Sequence, residues 1–376
     1  RLMPSEHAGT LCAVDDAARS TLEAFGFDEA RFDALRARLA AGSLSTDVNV
    51  VRGPVEPPAP GDVASVPEPG SARYEEAVEA GRAAIRRGSV AQVVLAGGMA
   101  TRFGGVVKGV VEVLEGRSFL SWKLGETARL SAALGSEVPV ALMTSFATEA
   151  ETRRHVAALG VPEPLWFSQF VAPRLTPDGS VFRDADGLAS LYGPGHGDLF
   201  EALQRSGVLV ELERRGVTTV HVSNVDNLGA RIDPVVVGEH LLGGRGVTVE
   251  VARKLGDTGG APARVDGRLV LVEGPRFPPG FDQDTIPVFN TNTVAFDLDV
   301  LRGSYPLEWM VAVKDVDGVA AVQIERLFHE VTWFVDARFL EVPRTGPRGR
   351  FFPIKVPADL ESSREALREM LATSLD

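Results

Sequence analysis

A run of apolar residues ends abruptly in a pair of glycines, and this junction constrains the fold more than any other part of the sequence. The run at 90–96 reads VAQVVLA, and Gly97 and Gly98 follow it. Short apolar runs rich in β-branched residues are typical of strands buried in a parallel sheet. Glycines at the end of such a strand allow backbone N–H groups to approach an anion closely. The junction therefore predicts a buried strand with an anion-binding loop at its carboxyl end.

Strand-like and helix-like segments alternate through the middle of the chain. Alternation of this kind favours an α/β fold in which helices cover both faces of a mainly parallel sheet. After residue 260 the pattern changes to hairpins, with Asp266-Gly267 as a turn signal, and an amphipathic helix is expected at about 359–373. Besides 90–96, the predicted strands are 138–144, 217–223 and 247–253, and the predicted helices are 73–88, 118–134, 147–159, 198–215 and 233–243.

The first 71 residues differ from the rest of the chain. Helical periodicity at 15–41 predicts two short helices that break near Gly26. The stretch 51–71 contains six prolines and is interpreted as a linker or a surface arm. We therefore predict an N-terminal helical segment at 1–50, a linker or arm at 51–71, and the main α/β domain at 72–376.

Charge and cysteine content limit the partners of the chain. A net charge of −12 over 376 residues argues against nucleic-acid binding, although phosphorylated small molecules need only a few local cations. Cys12 is the single cysteine, which excludes an intramolecular disulfide and favours a reducing compartment. The sequence has no signal pattern and no apolar run near the ~20 residues that span a bilayer. We expect a soluble, cytoplasmic protein without nucleic-acid or membrane partners.

The glycine-rich loop carries positive charge but fits neither of two familiar phosphate-binding patterns. Arg102 and Lys108 supply cations suited to a polyphosphate. The glycine-to-lysine spacing and Gly109 do not match a Walker loop, and a G-x-G-x-x-G fingerprint is absent.

Polar side chains at other predicted strand ends suggest a ligand site. The segment VHVSNVDNLGARID (220–233) brings Asn224 and Asp226 to the carboxyl edge of the sheet, where open α/β sheets bind ligands. Asp226 is the natural Mg²⁺ ligand, because Mg²⁺ prefers carboxylate oxygens together with substrate phosphates. In YGPGHGDLFEAL (192–203), glycines flank His196, and Asp198 is a suitable N-cap for the next helix.

Two further segments carry amide side chains suited to ligand recognition. Gln169 in WFSQFVAPR offers both a donor and an acceptor to a base edge. Asn290 and Asn292 are two residues apart on a predicted strand and should share one face.

Taken in order, six segments between about residues 90 and 360 resemble the eukaryotic-type UTP–glucose-1-phosphate uridylyltransferase (UDP-glucose pyrophosphorylase) family. The segments are LAGGMATRFGGVVKG, WFSQFVAPR, YGPGHGD, SNVDNLGARID, FNTN and VPRTGPRGRFFPIK. The resemblance implies a Rossmann-like nucleotidyltransferase fold with a mixed, mainly parallel central sheet. Three positions depart from the family pattern: Ala100 replaces a glycine, Val107 a proline and Thr258 a lysine. Because the chain ends soon after Lys355, we expect it to lack the C-terminal β-helix of the family and to be a monomer or a small homo-oligomer.

The resemblance also implies a reaction: Mg²⁺-dependent transfer of uridylyl from UTP to glucose 1-phosphate, which gives UDP-glucose and pyrophosphate. Arg102 and Lys108 would hold the β- and γ-phosphates, and Lys355 and, less directly, Lys254 would neutralise the sugar phosphate and the attacked phosphorus. The implied nucleotide-binding residues are Ala96, Gly97, Gly98, Gln169, Gly195, His196 and Asp226, with Asp226 also the metal ligand. The implied sugar-binding residues are Asn224, Glu273, Asn290 and Asn292.

Two alternatives stay open on the sequence alone. One is the same chemistry on another sugar, as in UDP-N-acetylhexosamine or broad-specificity UDP-sugar pyrophosphorylases. The other is a sugar-nucleotide-binding regulatory protein with impaired catalysis, an interpretation suggested by Ala100, Val107 and Thr258.

Overall fold

The protein is described here from a computed structural model, which covers residues 9–100, 103–316, 318–354 and 356–373. Its helices are α1 (Thr10–Ala13), α2 (Asp16–Ala24), α3 (Glu29–Ala40), α4 (Ala72–Arg86), α5 (Phe119–Leu134), α6 (Glu149–Leu159), α7 (Leu199–Arg205), α8 (Val208–Arg214), α9 (Pro234–Gly243), α10 (Leu298–Leu301) and α11 (Pro357–Ala372). Its strands are β1 (Val55–Glu56), β2 (Val63–Ser65), β3 (Val90–Leu95), β4 (Met99–Ala100), β5 (Val106–Val107), β6 (Glu112–Leu114), β7 (Arg117–Ser118), β8 (Val140–Thr144), β9 (Leu165–Ser168), β10 (Ala172–Pro173), β11 (Leu191–Tyr192), β12 (Thr219–Asn224), β13 (Val247–Arg253), β14 (Ala261–Val265), β15 (Arg268–Val272), β16 (Val288–Asp297), β17 (Met310–Val316), β18 (Val319–Glu325) and β19 (Ala337–Glu341).

An eight-stranded sheet forms the centre of the fold, with strand order β2-β19-β13-β16-β12-β3-β8-β9. Of these strands, β16 alone runs antiparallel to its neighbours β12 and β13. The parallel pairs are β12/β3, β3/β8, β8/β9, β13/β19 and β19/β2. The carboxyl ends of the parallel strands therefore share one edge with the start of β16. The expectation of an α/β fold with a mixed, mainly parallel sheet is confirmed.

Most predicted elements agree with the structure, and one helix does not. All six residues of β3 are buried, as expected for a strand covered on both faces. Asp266 and Gly267 adopt φ values of 48° and 78° in the turn between β14 and β15. The single helix predicted at 198–215 was wrong, because Gly207 lies in the left-handed region (φ 79°) and separates α7 from α8.

The N-terminal residues pack against the remainder of the molecule. Leu22 of α2 lies in an apolar cluster with Val171, and Phe32 of α3 lies in another with Val322 and Ile324. The proline-rich stretch 51–71 contributes β1, which pairs with β14, and β2, which forms one edge of the central sheet. The domain division at residues 50 and 71 stays a prediction.

No helix among the described residues is long and apolar enough to cross a membrane.

Two glycines allow α4 and α9 to cross at short range on one face of the sheet. A Cβ at Gly238 would lie 1.8 Å from the carbonyl oxygen of Ala77, and one at Gly81 would lie 1.9 Å from that of Pro234. Both obstacles are backbone atoms, so neither can rotate away. The crossing therefore requires glycine at both positions.

We predict that Gly238→Ala destabilises the protein by about 1–3 kcal/mol or more, because the methyl group overpacks this crossing. The matched control is Gly125→Ala in α5, where the new Cβ would meet only the guanidinium end of Arg117 at 2.4 Å. That side chain can move, and alanine is the better helix former by about 1 kcal/mol. Urea unfolding of both variants tests this, and equal midpoints would contradict it.

Candidate functional site

Asn224 and Asp226 were expected at the carboxyl edge of the sheet, where β12 ends at Asn224 and Asp226 follows in the next turn. Ala96, Gly97 and Gly98 follow β3 directly, and Asn224 ends β12. Ala96 is buried, and its carbonyl oxygen accepts from Thr148 Oγ1 at 3.1 Å. Ser145 Oγ donates to the carbonyl oxygen of Gly97 at 2.9 Å. The first glycines of the loop are thus held by the chain that follows β8.

The glycine-rich loop folds back as a short hairpin of β4 and β5. Met99 pairs with Val107, Ala100 pairs with Val106, and the N–H of Lys108 donates to Gly98 O at 3.2 Å. Val107 has φ −63°, the value that a proline would impose, and Ala100 is not in the left-handed region. Neither departure from the family pattern strains the loop. Arg102 lies outside the described residues.

The hairpin delivers Lys108 to Asp226. Lys108 Nζ donates to Asp226 Oδ2 at 2.9 Å, and the two side chains are 29% and 16% exposed. A partly buried ion pair is screened less by water than a surface pair. The pair is still open to a ligand, so it presents both a cation and a carboxylate at the end of β12.

Asn227 fixes the turn that carries Asp226. Its Oδ1 accepts from the N–H of Phe352 at 3.0 Å, and its Nδ2 donates to Arg350 O at 3.1 Å. A Cβ at Gly229 would lie 2.5 Å from the carbonyl carbon of Arg350. The turn is therefore attached to residues 350–353, which shortly precede Lys355. Lys355 itself lies outside the described residues.

A buried ion pair between Arg350 and Glu250 stabilises this attachment. Arg350 donates to Glu250 through Nε at 2.6 Å and Nη2 at 2.7 Å, and both side chains are 1–2% exposed. Burial alone would raise the pKa of Glu250, but the charge of Arg350 and a hydrogen bond from His221 outweigh it and lower that pKa to about 2. The carboxylate therefore stays ionised, and Arg350 remains paired.

Lys123 reaches the same turn from α5. It is 2% exposed, and its Nζ donates to Ala230 O at 2.7 Å and to Ser223 Oγ at 3.2 Å. Burial, assisted by the charge of Arg350, lowers the pKa of Lys123 to about 7. Lys123, Glu250 and Arg350 were not predicted from the sequence, since each meets partners about 100 residues away and has no local pattern.

We predict that Glu250→Gln destabilises the protein at pH 7 by about 3–5 kcal/mol, because it leaves Arg350 buried without a counterion. The pKa of Glu250 is lower in the folded protein than its ordinary value of 4.5. Its stabilising contribution is therefore complete above about pH 4.5 and is lost as pH falls towards about 2.

The variant should accordingly lose less stability than the parent between pH 5 and pH 3. Thermal unfolding across that range measures the slope, with Glu365→Gln as a control because Glu365 is 86% exposed. A parent-like slope in Glu250→Gln would contradict the role of this pair.

The asparagines of β16 are linked to the Asp226 turn. Asn292 Nδ2 donates to Asn224 Oδ1 at 2.8 Å, and the N–H of Asn292 donates to Asn290 Oδ1 at 3.0 Å. Asn292 has φ 56°, and the pairing of β13 with β16 shifts register here. This β-bulge interrupts the alternation from which we predicted a shared face. It joins the two asparagines locally and directs Asn292 to Asn224.

Gly260 links Asn290 to Glu273, which follows β15 of the three-stranded sheet β1-β14-β15. The N–H of Asn290 donates to Gly260 O at 2.7 Å, and a Cβ at Gly260 would lie 2.6 Å from Glu273 Oε1. The Glu273 carboxylate forms an ion pair with His329 Nε2. His329 was not predicted from the sequence.

The turn that contains Gly195, His196 and Gly197, which we call the His196 turn, lies next to His329. His196 Nδ1 accepts from the N–H of Phe328 at 3.3 Å, and its ring centroid is 5.4 Å from that of His329. Burial and the neighbouring His329 lower the pKa of His196 to about 3, so the ring is neutral with its proton on Nε2. Gly195 is required here, because a Cβ would lie 2.4 Å from Arg326 O.

The expectation that Asp198 caps the following helix was wrong. Its side chain makes no capping hydrogen bond. Instead the carboxylate accepts from the N–H of Phe170 and from Arg326 Nε, each at 3.0 Å. Burial raises the pKa of Asp198 to about 6, although Arg326 opposes the shift. Asp198 therefore joins the His196 turn to the segment that follows Gln169.

Gln169 lies between two glycines. A Cβ at Gly193 would lie 1.9 Å from Gln169 Nε2, and one at Gly97 would lie 3.1 Å from its Cδ. The N–H of Gln169 donates to Thr144 O at 3.0 Å, which anchors its backbone to the end of β8. The side-chain amide is therefore placed beside the first glycine of the loop.

Lys254 is set apart from these residues. Its Nζ donates to Gln283 O at 2.5 Å, and it borders a surface cavity together with Asp257 and the exposed Thr258. Among the described residues, none of its hydrogen bonds reaches Lys108 or Asp226.

Together the contacts form a chain around the carboxyl edge of the sheet. We call this set of residues the edge ring. The edge ring consists of Gly97, Lys108, Gln169, His196, Asn224, Asp226, Gly260, Glu273, Asn290, Asn292 and His329.

Comparison with solved structures identifies the fold. The chain aligns with a uridine diphosphate N-acetylglucosamine pyrophosphorylase from Trypanosoma brucei with a TM-score of 0.75 at 21% identity, covering 93% of this chain and 79% of the other. It aligns with a UDP-glucose pyrophosphorylase mutant from Leishmania major, in complex with UDP-glucose, with a TM-score of 0.72 at 25% identity and the same coverage. The fold is that of the UDP-sugar pyrophosphorylases.

Sequence comparison then identifies the family. Residues 60–375 match the family model described as UTP–glucose-1-phosphate uridylyltransferase. The chain is 31% identical over 284 residues to that enzyme from Solanum tuberosum, covering 71% of this chain and 59% of the relative. It is 31% identical over 294 residues to the enzyme from Saccharomyces cerevisiae, covering 72% and 58%. The chain belongs to the UTP–glucose-1-phosphate uridylyltransferase family, and it spans about three-fifths of the length of these relatives.

Proposed function

We propose that the protein transfers uridylyl from UTP to glucose 1-phosphate and forms UDP-glucose and pyrophosphate. The observation that carries this proposal is the Lys108–Asp226 ion pair at the carboxyl edge of the sheet. A cation and a carboxylate side by side are what a nucleoside triphosphate and its metal ion require. Membership of the family supports the same reaction.

The chemistry requires electrostatic help more than proton transfer. The attacking oxygen of a sugar phosphate is already an anion near neutral pH, and negative charge grows on the departing pyrophosphate. Positioned cations therefore lower the barrier by holding two anions together. We assign this role to Lys108, to Arg102 in the same loop, and to Lys355, whose segment is anchored at Asn227 by residues 350–353.

Asp226 fits a magnesium ion that is shared with the substrates. The described residues contain no cluster of three or more acidic, histidine or cysteine side chains able to hold a metal. A single carboxylate suits Mg²⁺, which is commonly bound through one or two carboxylates and substrate phosphates. When bound, the ion would neutralise charge on the phosphates. Asp226 would hold it, and Lys108 orients the carboxylate through its hydrogen bond to Oδ2.

Other residues of the edge ring, together with the neighbouring Ala96, Gly98 and Gly195, divide between base and sugar. We assign the uracil edge to Gln169, with Ala96, Gly97, Gly98 and Gly195 providing close backbone approach. Asn224, Asn290, Asn292 and Glu273 lie along the opposite part of the ring and suit sugar hydroxyls. His196 lies between the two groups. Lys254 is assigned to the approach of the sugar phosphate, outside the ring.

We predict that Asp226→Asn lowers kcat by about 10²–10³ with little change in fold, because it removes the charge that holds the metal ion. Asp299→Asn is the matched control, since Asp299 is 84% exposed in α10 at the other end of β16. Pyrophosphate release from UTP and glucose 1-phosphate with Mg²⁺ provides the rate. An unchanged kcat for Asp226→Asn would contradict the assignment of Asp226 as the metal ligand. If the parent protein releases no pyrophosphate with any common sugar 1-phosphate, the proposed reaction itself is wrong.

We predict that Gly193→Ala raises the KM for UTP at least tenfold and leaves the KM for glucose 1-phosphate within about threefold, because the new methyl group displaces the Gln169 amide. Gly187→Ala serves as the control, since no atom lies within 4 Å of a Cβ there. Its positive φ of 76° makes it a demanding control for backbone strain. Equal KM values for UTP in the two variants would contradict the base-binding role of Gln169.

The proposal includes glucose 1-phosphate as the sugar substrate, a monomer or small homo-oligomer as the assembly, and a cytoplasmic location. Rates with glucose, galactose and N-acetylglucosamine 1-phosphates separate the glucose-specific reaction from that of a broad or N-acetylhexosamine-specific enzyme. Binding of UDP-glucose without turnover would instead support a regulatory protein. The relaxed geometry of Ala100 and Val107 removes one reason to expect impaired catalysis.

A further inference from the structure

His329 is a buried polar residue of the edge ring to which the proposed reaction assigns no role. It lies in a short 3₁₀ segment, Phe328–Trp333, and is 3% exposed. Its Nε2 forms an ion pair with Glu273 Oε1, and within the described residues neither ring nitrogen makes a hydrogen bond. Because a buried imidazole without hydrogen bonds is costly, the ion pair with Glu273 is its compensating interaction.

The pairing determines which oxygen of Glu273 is available. Oε1 is covered by His329 and has no accessible surface, whereas the side chain as a whole is 18% exposed. Burial would raise the pKa of Glu273, but the charge of His329 outweighs it and holds that pKa below its usual value. Glu273 therefore presents one ionised oxygen, Oε2, as a hydrogen-bond acceptor.

The 3₁₀ segment Phe328–Trp333 also orients a hydrogen-bond donor, the imidazole of His196. The N–H of Phe328 occupies Nδ1 of His196, which leaves the proton of the neutral ring on Nε2. No described residue accepts from His196 Nε2. The consecutive residues Phe328 and His329 thus orient one free donor and one free acceptor on neighbouring side chains.

We propose that His329 is a positioning residue that determines sugar specificity, because it holds Glu273 so that one carboxylate oxygen accepts from a single sugar hydroxyl. The inference rests on the proposed function, and it explains how the sugar subsite distinguishes glucose 1-phosphate from its deoxy analogues. A hydroxyl both donates and accepts, so it satisfies such a site, whereas a deoxy sugar leaves a buried carboxylate oxygen unpaired. His329 acts through Glu273 and does not contact the reacting phosphates.

The test compares His329→Ala and His329→Gln with the parent, and with His155→Ala as a matched control in α6. His155 bonds Ser118 and lies outside the edge ring. Each protein is assayed with glucose 1-phosphate and its monodeoxy analogues. His329→Ala should raise the KM for glucose 1-phosphate about 10- to 100-fold, the loss expected for one hydrogen bond to a charged group. Its KM for UTP and its melting temperature should stay near those of the control.

Two further results are expected. His329→Ala should lose most of the parent's preference for glucose 1-phosphate over the deoxy analogue that the parent uses least. His329→Gln should recover much of the affinity, because its amide can donate to Glu273 in place of the ion pair.

The outcomes separate this inference from the reaction on which it depends. If the parent releases no pyrophosphate from any sugar 1-phosphate, the proposed function fails and the inference fails with it. If the parent is active but His329→Ala keeps the parental KM and discrimination, the inference alone is overturned. It is also overturned if both variants raise the two KM values together and lower the melting temperature, since this is the result of a merely structural residue.

Discussion

The buried ion pair between Arg350 and Glu250 is the interaction on which the geometry of the site depends. It joins β13, in the middle of the sheet, to the chain segment that packs against the Asp226 turn. Removing either partner would leave a buried charge without a counterion, so replacing one partner alone would strongly destabilise the protein. Lys123 reaches the same turn from α5, and the turn is thereby held from two sides.

Rigid support matters here because the reactants repel each other. In the proposed reaction two phosphorylated substrates would have to be brought together, and the cation that meets them would have to be held before they arrive. Lys108 lies in a glycine-rich loop, a kind of sequence that is often flexible. The β4–β5 hairpin pairing and the hydrogen bond to Asp226 restrain the Lys108 side chain. The part of the edge ring around Asn292 and Glu273 is restrained differently, by the β-bulge at Asn292 and by the pairing of Glu273 with His329.

Local patterns in the sequence were sufficient to predict the sheet and the position of Asn224 and Asp226 at its carboxyl edge. The patterns that predicted strand β3, the loop after it and the Asp226 turn each lie within one short continuous segment of the sequence. Long-range contacts were not accessible in this way. Arg350 meets Glu250 and His329 meets Glu273 across more than 50 residues, and single charged side chains carry no periodic signal. Asp198 was misassigned for the same reason, since a capping pattern cannot reveal that Arg326 competes for the carboxylate.

A crystal structure with UDP-glucose and Mg²⁺ tests the account most directly. We expect the uracil against Gln169, the diphosphate and metal ion at Lys108 and Asp226, and one glucose hydroxyl within hydrogen-bonding distance of Glu273 Oε2. Density for the nucleotide away from the carboxyl edge of the sheet, or a diphosphate that contacts neither Lys108 nor Asp226, would contradict it.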